Sequence, residues 1–172
     1  MPEPVPRPAP IEPLDSPGKG KARLSAVMGT ASAAALLLAL VSGFEGKKND
    51  PYWDIVHVQT VCFGETRVAM RHYSDAECSD MLAGGLADFA GPVLARNPGL
   101  RGHVPQLAAA VSLSYNIGAA NYRGSSVARL FSEGDWRAAC DAFLRWNRAG
   151  GHVIAGLVRR RASERALCLE GL

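Results

Sequence analysis

The residues best suited to chemistry in this sequence are two carboxylates and a hydroxyl, Glu45, Asp54 and Thr60, in the pattern Glu-x8-Asp-x5-Thr. A carboxylic acid can protonate a leaving oxygen while a carboxylate and a hydroxyl position and deprotonate an attacking water. That division of labour suits cleavage of a glycosidic bond. Glu, Asp and Thr are common residues, so the spacing draws its weight from what surrounds it.

Bringing the three together takes a helix end followed by a tight hairpin. A helix running to Gly43-Phe44-Glu45 supplies the first carboxyl, and Gly46 to Pro51 reads as a turn-rich link. The stretch from Ile55 to Phe63 is β-branched and roughly alternating, which predicts short strands of a small sheet. Asp54 and Thr60 then stand at opposite ends of that segment and can face one cleft. The plainer alternative for Asp54 is a turn residue capping its own backbone. Further on, Ser74 with Glu77 predicts a capping box that opens a helix continuing through Cys78, Met81, Leu82, Leu86 and Phe89. Asn97-Pro98-Gly99 breaks that pattern, and Pro105 opens a strongly apolar helix over Leu107 to Tyr115. Asn116 and Gly118 end it. A last helix from Gly156 to Leu169 carries Arg159, Arg160 and Arg161, whose plain reading is a solvated face with one or two internal salt bridges.

The 172 residues fit one domain plus a tail, and 48% apolar against 20% charged residues makes the bulk globular. A net charge of +3 suits an anionic polymer or envelope surface. No basic stripe interleaved with aromatics is present, so nucleic acid is not an expected partner. Cys62, Cys78, Cys140 and Cys168 form an even set without a Cys-x-x-Cys motif, and three pairings are open to them in an exported domain. No histidine lies at ligand spacing from a cysteine pair, so no metal is expected, and the chemistry requires no organic cofactor. His57, His72, His103 and His152 are scattered and carry no assigned role.

Residues 1–23 form a proline-rich tail whose alternating prolines disfavour helix and sheet alike. The tail ends in Lys19, Lys21 and Arg23, just before an uncharged run of 20 residues from Leu24 to Gly43. That length can span a bilayer as a helix, and the basic flank would hold the N-terminus in the cytoplasm. Yet more than half of the run is Ala, Gly, Ser or Thr, so it would insert weakly. Its other readings are a cleavable signal peptide, a permanent anchor, and simply the first core helix of a soluble domain.

The motif resembles the catalytic core of the phage-type lysozymes (glycoside hydrolase family 24). The similarity runs through Phe44-Glu45-Gly46, Tyr52-Trp53-Asp54-Ile55 and Thr60-Val61-Cys62-Phe63-Gly64. It continues in Ser114-Tyr115-Asn116-Ile117-Gly118, Gly134-Asp135-Trp136, Arg145-Trp146, Ala149-Gly150-Gly151 and the arginine helix with Glu164, covering about residues 36 to 172. The apolar run resembles the signal-anchor-release segments of certain endolysins, which hold an enzyme inactive in the membrane and later free it into the periplasm. The resemblance implies a lysozyme-like α+β fold with a small β-hairpin lobe, a larger helical lobe and a cleft between them. The helix from Ser74 would join the lobes.

It further implies a monomeric endolysin that cuts peptidoglycan between N-acetylmuramic acid and N-acetylglucosamine, with Glu45 as general acid and Asp54 and Thr60 holding water. Partial burial by Phe44 would keep that acid protonated. Asn116 and Gly118 would contact substrate (helix capping being the alternative for Asn116), and one of the arginines would bond Glu45. Trp136, Phe143 and Trp146 would be core or cleft-wall aromatics. The disulfides favoured in such a fold are Cys62–Cys78 and Cys140–Cys168. The expected organisation is a tail (1–23), an inner-membrane segment (24–43) whose end doubles as the enzyme's first helix, and a catalytic domain (44–172). Where the family commonly reads Gly-His-Thr this chain reads Gly64-Glu65-Thr66, which bears on lobe stability and pH profile. The competing functions are a non-catalytic wall-binding protein on the same scaffold and a lytic transglycosylase, which needs only the glutamate.

Overall fold

The computed structural model describes residues 18–54 and 57–172. Most of the proline-rich tail, with Ile55 and Val56 of the expected strand segment, lies outside the described residues. The chain begins with two helices, α1 (Lys19–Met28) and α2 (Ala31–Ser42). The apolar run is therefore not one helix. Gly29 adopts φ 91 and closes α1, and the Thr30 hydroxyl accepts from the Ala33 N–H to open α2. The two axes meet at 109°, and no single helix among the described residues is long and apolar enough to cross a membrane. The basic residues Lys19, Lys21 and Arg23, read as the end of the tail, belong to α1.

The hairpin lobe follows. Strand β1 (Lys48–Trp53) pairs antiparallel with β2 (Gln59–Cys62), with Tyr52 opposite Thr60 and Trp53 opposite Gln59. Part of the expected turn-rich link is thus a strand. A two-stranded hairpin tolerates Pro51, which lacks an N–H, and the register is irregular between Lys48 and Tyr52. Val61, Cys62, Tyr73, Cys78 and Met81 form a small core for this lobe. The Cys62–Cys78 disulfide ties β2 to the first turn of α3 (Asp75–Arg96), which leads into the helical lobe. Its start is the expected capping box: the Ser74 hydroxyl accepts from the Glu77 N–H, and the Glu77 carboxylate accepts from the Ser74 N–H.

In the helical lobe α4 (Val104–Ile117) runs through the centre, with Leu107 to Ser114 all buried. Around it lie α2, α3, the short helices α5 (Ala119–Arg123), α6 (Ser126–Glu133) and α7 (Trp136–Ala142), and the terminal α8 (Ala155–Cys168). A two-residue hairpin, β3 (Arg148–Ala149) and β4 (His152–Val153), turns at Gly150-Gly151, where both glycines take positive φ. Phe143 is fully buried, while Trp136 and Trp146 are partly buried against the core. Cys140–Cys168 staples α7 to α8. The fold is the expected α+β arrangement of a hairpin lobe and a larger helical lobe.

The two N-terminal helices belong to this core. Leu24, Met28, Leu37 and Val41 are at most 4% exposed, packed among α3 and α4 residues. Helix α1 lies so close to α3 that a Cβ on Gly20 would stand 2.0 Å from the Asp80 carbonyl oxygen. The Asp80 carboxylate, itself buried, accepts from the first N–H groups of α1, Gly20 at 3.2 Å and Lys21 at 2.9 Å. A helix N-terminus presents unpaired donors and partial positive charge, so a carboxylate there satisfies both.

Candidate active site

Glu45 follows directly on α2. Its N–H donates to the Val41 carbonyl, continuing the helical turn, so the carboxyl projects from a fixed backbone. The side chain is 29% exposed. Its Oε1 accepts from Arg160 Nη1 at 2.7 Å, and the Arg160 guanidinium also lies 5.0 Å from the Phe44 ring centre. Of the three arginines in α8, Arg160 is therefore the one that meets Glu45.

Asp54 and Thr60 converge on a single residue of the hairpin. The Asp54 carboxylate accepts from the Val58 N–H at 2.9 Å, while the Thr60 hydroxyl donates to the Val58 carbonyl at 3.0 Å. The Asp54 N–H donates to that same carbonyl at 3.0 Å. Asp54 is thus also the turn-capping residue that the plainer reading described. Thr60 is 3% exposed, fixed by β2 opposite Tyr52. Because its proton is committed to Val58, the lone pairs of its oxygen are the part left to receive a water's hydrogen.

The solvated-face reading of the arginine cluster is wrong for two of its members. Arg160 is 5% and Arg161 0% exposed, because both turn inward toward α4. A buried charge must be paired, and the partner is Glu164, also 0% exposed. Glu164 Oε1 accepts from Arg160 Nε (3.2 Å), Arg161 Nη2 (2.6 Å) and the Ser112 hydroxyl (2.6 Å). Burial pushes the Glu164 carboxyl up, while Arg161, Ser112 and Arg160 pull it down; burial prevails. Glu164 stands three and four residues from the two arginines, a helical spacing that could have singled it out.

Asn116 does not cap α4, a place taken by Gly118 at φ 89; its side-chain oxygen accepts from Arg161 Nη1 at 2.9 Å. Gly118 supplies the turn and donates its N–H to the Ser114 carbonyl. Where the family commonly has a histidine, Glu65 forms a two-pronged pair with Arg67, Nε to Oε1 at 2.9 Å and Nη2 to Oε2 at 3.1 Å. Burial raises the Glu65 carboxyl, but Arg67 and the backbone N–H of Thr66 outweigh it and hold it below its ordinary value. A cavity of about 190 Å³ opens between the lobes beside this pair, lined among others by Asp88, Phe89 and Tyr115. Burial pushes the Tyr115 hydroxyl up, reinforced by the negative charges of Glu45 and Glu65, so the tyrosine lies within the field of both. Sequence reasoning did not single out Tyr115, Arg67 or Ser112. Among the described residues no cluster of His, Cys, Asp and Glu could hold a metal ion.

Residues 42–164 match the phage lysozyme family. The chain is 39% identical over 164 residues to the SAR-endolysin of Enterobacteria phage P21, an alignment covering 90% of this chain and 98% of that one. Among solved structures, a variant of P22 lysozyme superimposes with a TM-score of 0.63 at 30% identity, covering 78% of this chain and 96% of that one. The active form of the P1 phage endolysin Lyz shares the fold at TM-score 0.67 and 23% identity, covering 88% and 94%. With a match over this much of its length, carrying the Glu45, Asp54 and Thr60 spacing, the chain belongs to the phage lysozyme family.

Proposed function

We propose that this chain is an endolysin, a lysozyme that hydrolyses the β-1,4 bond between N-acetylmuramic acid and N-acetylglucosamine of peptidoglycan and so lyses a host cell. The observation that carries the reading is the seat of Glu45, a partly exposed carboxyl at the end of α2 held by Arg160 at 2.7 Å. Glu45 gives its proton to the glycosidic oxygen as the carbon–oxygen bond breaks. Asp54 orients the attacking water, takes its proton and stabilises the developing positive charge, and Thr60 holds the same water. The outcome is inversion at the anomeric carbon. Asn116 and Gly118 stand at the end of α4 to border the bound glycan.

Turbidity loss of purified peptidoglycan tests this. Glu45→Gln should lower the rate by at least about a hundredfold, the scale of general acid catalysis. Equal rates in wild type and variant would overturn the assignment, and anhydro sugars in the mass spectrum of the products would identify a lytic transglycosylase instead.

The proposal extends to residues 24–43 as a signal-anchor-release segment that begins in the inner membrane, N-terminus in the cytoplasm, and later leaves it for the periplasm. Support comes from the uncharged run behind Lys19, Lys21 and Arg23, and from the likeness to a protein named a SAR-endolysin. The folded enzyme also buries Leu24, Met28, Leu37 and Val41 in its own core. While those side chains sit in lipid the seat of Glu45 cannot be completed, so membrane exit activates a monomeric enzyme whose catalytic residues lie within 44–172 on a core that α1 and α2 complete. Fractionation before and after membrane depolarisation checks this. Full-length protein should move from membrane to soluble periplasm, and muralytic activity at full rate in the membrane fraction would refute it.

A further inference from the structure

We infer that Glu164 is a positioning residue that sets how strongly Arg160 holds Glu45, and thereby keeps the general acid able to carry its proton. The inference rests on the assignment of Glu45 as that acid. It starts from the charges around Glu45. Arg160 reaches it from α8, Tyr115 of α4 lies within its field, and the Phe44 ring covers the guanidinium. Arg161 stands beside Arg160, so two cations are buried behind one carboxyl.

Left to themselves, two buried guanidinium groups would favour the ionised form of Glu45. A general acid must begin the reaction protonated, so that arrangement would work against catalysis. Glu164 offsets it. Its Oε1 draws on Arg160 Nε at 3.2 Å, on the far side of the guanidinium from the Nη1 that meets Glu45 at 2.7 Å, and takes Arg161 Nη2 at 2.6 Å. The Ser112 hydroxyl of α4 and the Arg160 Nη2 contact with the Ser112 carbonyl (3.4 Å) fix the same group from the other helix. Glu45 and Glu164 thus share one arginine, and each weakens the other's hold on it.

A purely structural role explains this cluster less well. Burying an ion pair costs desolvation that well-packed apolar side chains avoid, so such a pair adds little stability of its own. Glu164 and Arg161 are both 0% exposed between α4 and α8, so both charges carry that desolvation cost in full.

The test is Glu164→Gln in the full, disulfide-bonded chain, which keeps the shape and an acceptor for Ser112 and Arg161 while removing the charge. The alkaline limb of the peptidoglycan-turbidity profile should move to lower pH by on the order of one unit. Activity near pH 8 should then fall about tenfold and recover at the acid end of the profile. Glu164→Asp keeps the charge but withdraws it from Arg160, and should shift the limb the same way by a smaller step; it carries the test if the glutamine variant does not fold. Variants that melt lower while their alkaline limb stays at the wild-type position would overturn the inference and leave Glu164 a structural group. The parallel Glu45→Gln measurement keeps the two claims apart. An active Glu45→Gln enzyme removes the acid assignment itself, whereas an inactive one with an unmoved limb in the Glu164 variants removes only the positioning role.

Discussion

Gly20→Ala is a single-methyl change with a large expected effect, because α1 and α3 touch there at backbone distance. The added Cβ would stand 2.0 Å from the Asp80 carbonyl oxygen and 2.8 Å from the Gly84 nitrogen. Both partners are main-chain atoms of a helix and cannot rotate away. Reaching an ordinary 3.4 Å contact requires 3.4 − 2.0 = 1.4 Å of extra separation, which must come from displacing α1 as a whole. Overpacking of this kind costs about 1–3 kcal/mol. The shift also pulls the Gly20 and Lys21 N–H groups away from the buried Asp80 carboxylate. Losing hydrogen bonds to a charged group costs roughly another 1.5–3 kcal/mol. The better helix propensity of alanine returns at most about 1 kcal/mol, so the net loss is roughly 1.5–5 kcal/mol.

For a chain of this size that loss lowers the melting temperature by roughly 3–20 °C. The assay is thermal unfolding by circular dichroism under non-reducing conditions, joined by amide exchange at Gly20 and Lys21 to detect undocking of α1 alone. Gly156→Ala is the control. Gly156 lies in the first turn of α8 with open space around its Cβ position, and its variant should be neutral or slightly more stable. A Gly20→Ala protein that melts with the wild type and protects the same amides would show that α1 does not dock as described.

The remaining predictions concern charge and covalent ties. Glu77 is held well below the ordinary glutamate range, at about 2, by Arg71 and by the backbone and hydroxyl of Ser74. A depressed carboxyl stabilises the fold above its unfolded value near 4.5 and loses that contribution as pH falls toward 2. The melting difference between wild type and Glu77→Gln should therefore be full near neutral pH and close as the solution approaches pH 2. Replacing Cys140 and Cys168 together by serine opens a loop of 28 residues and should cost about 3–4 kcal/mol, read as a lower denaturant midpoint under non-reducing conditions. Wild-type midpoints in that variant would contradict the loop-entropy account.

What the sequence disclosed, and what it withheld, follows the range of each interaction. The Ser74–Glu77 box, the apolar run of α4 and the reversal around Asp54 and Thr60 depend on residues a few positions apart, and all were legible. Strand β1 was not, since Lys48 to Pro51 has turn composition and becomes a strand through its pairing with β2. The bend at Gly29-Thr30 was masked because the same small residues also suit an unbroken apolar helix. Which arginine meets Glu45 was beyond local reasoning. The contact joins residues 115 positions apart and is decided by the face that α8 turns toward α4.

The composition of the N-terminal segment becomes intelligible once both its proposed environments are considered. Its small residues weaken membrane insertion, and they are also what the folded enzyme requires. Ala33 and Ala34 are buried where α2 enters the core, Gly29 makes the bend, and Gly20 just before the run lets α1 approach α3. Larger apolar residues would hold the segment in lipid more firmly, yet at the buried positions they would overpack the released form. Leu24, Leu37 and Val41 carry the apolar surface that either environment must cover. On this view the segment is poised because its side chains are chosen for the protein core first, with only enough hydrophobicity left over for a temporary stay in the bilayer. It follows that Ala33→Leu would anchor better and fold worse, whereas a segment selected as a lasting anchor would gain in lipid and lose nothing.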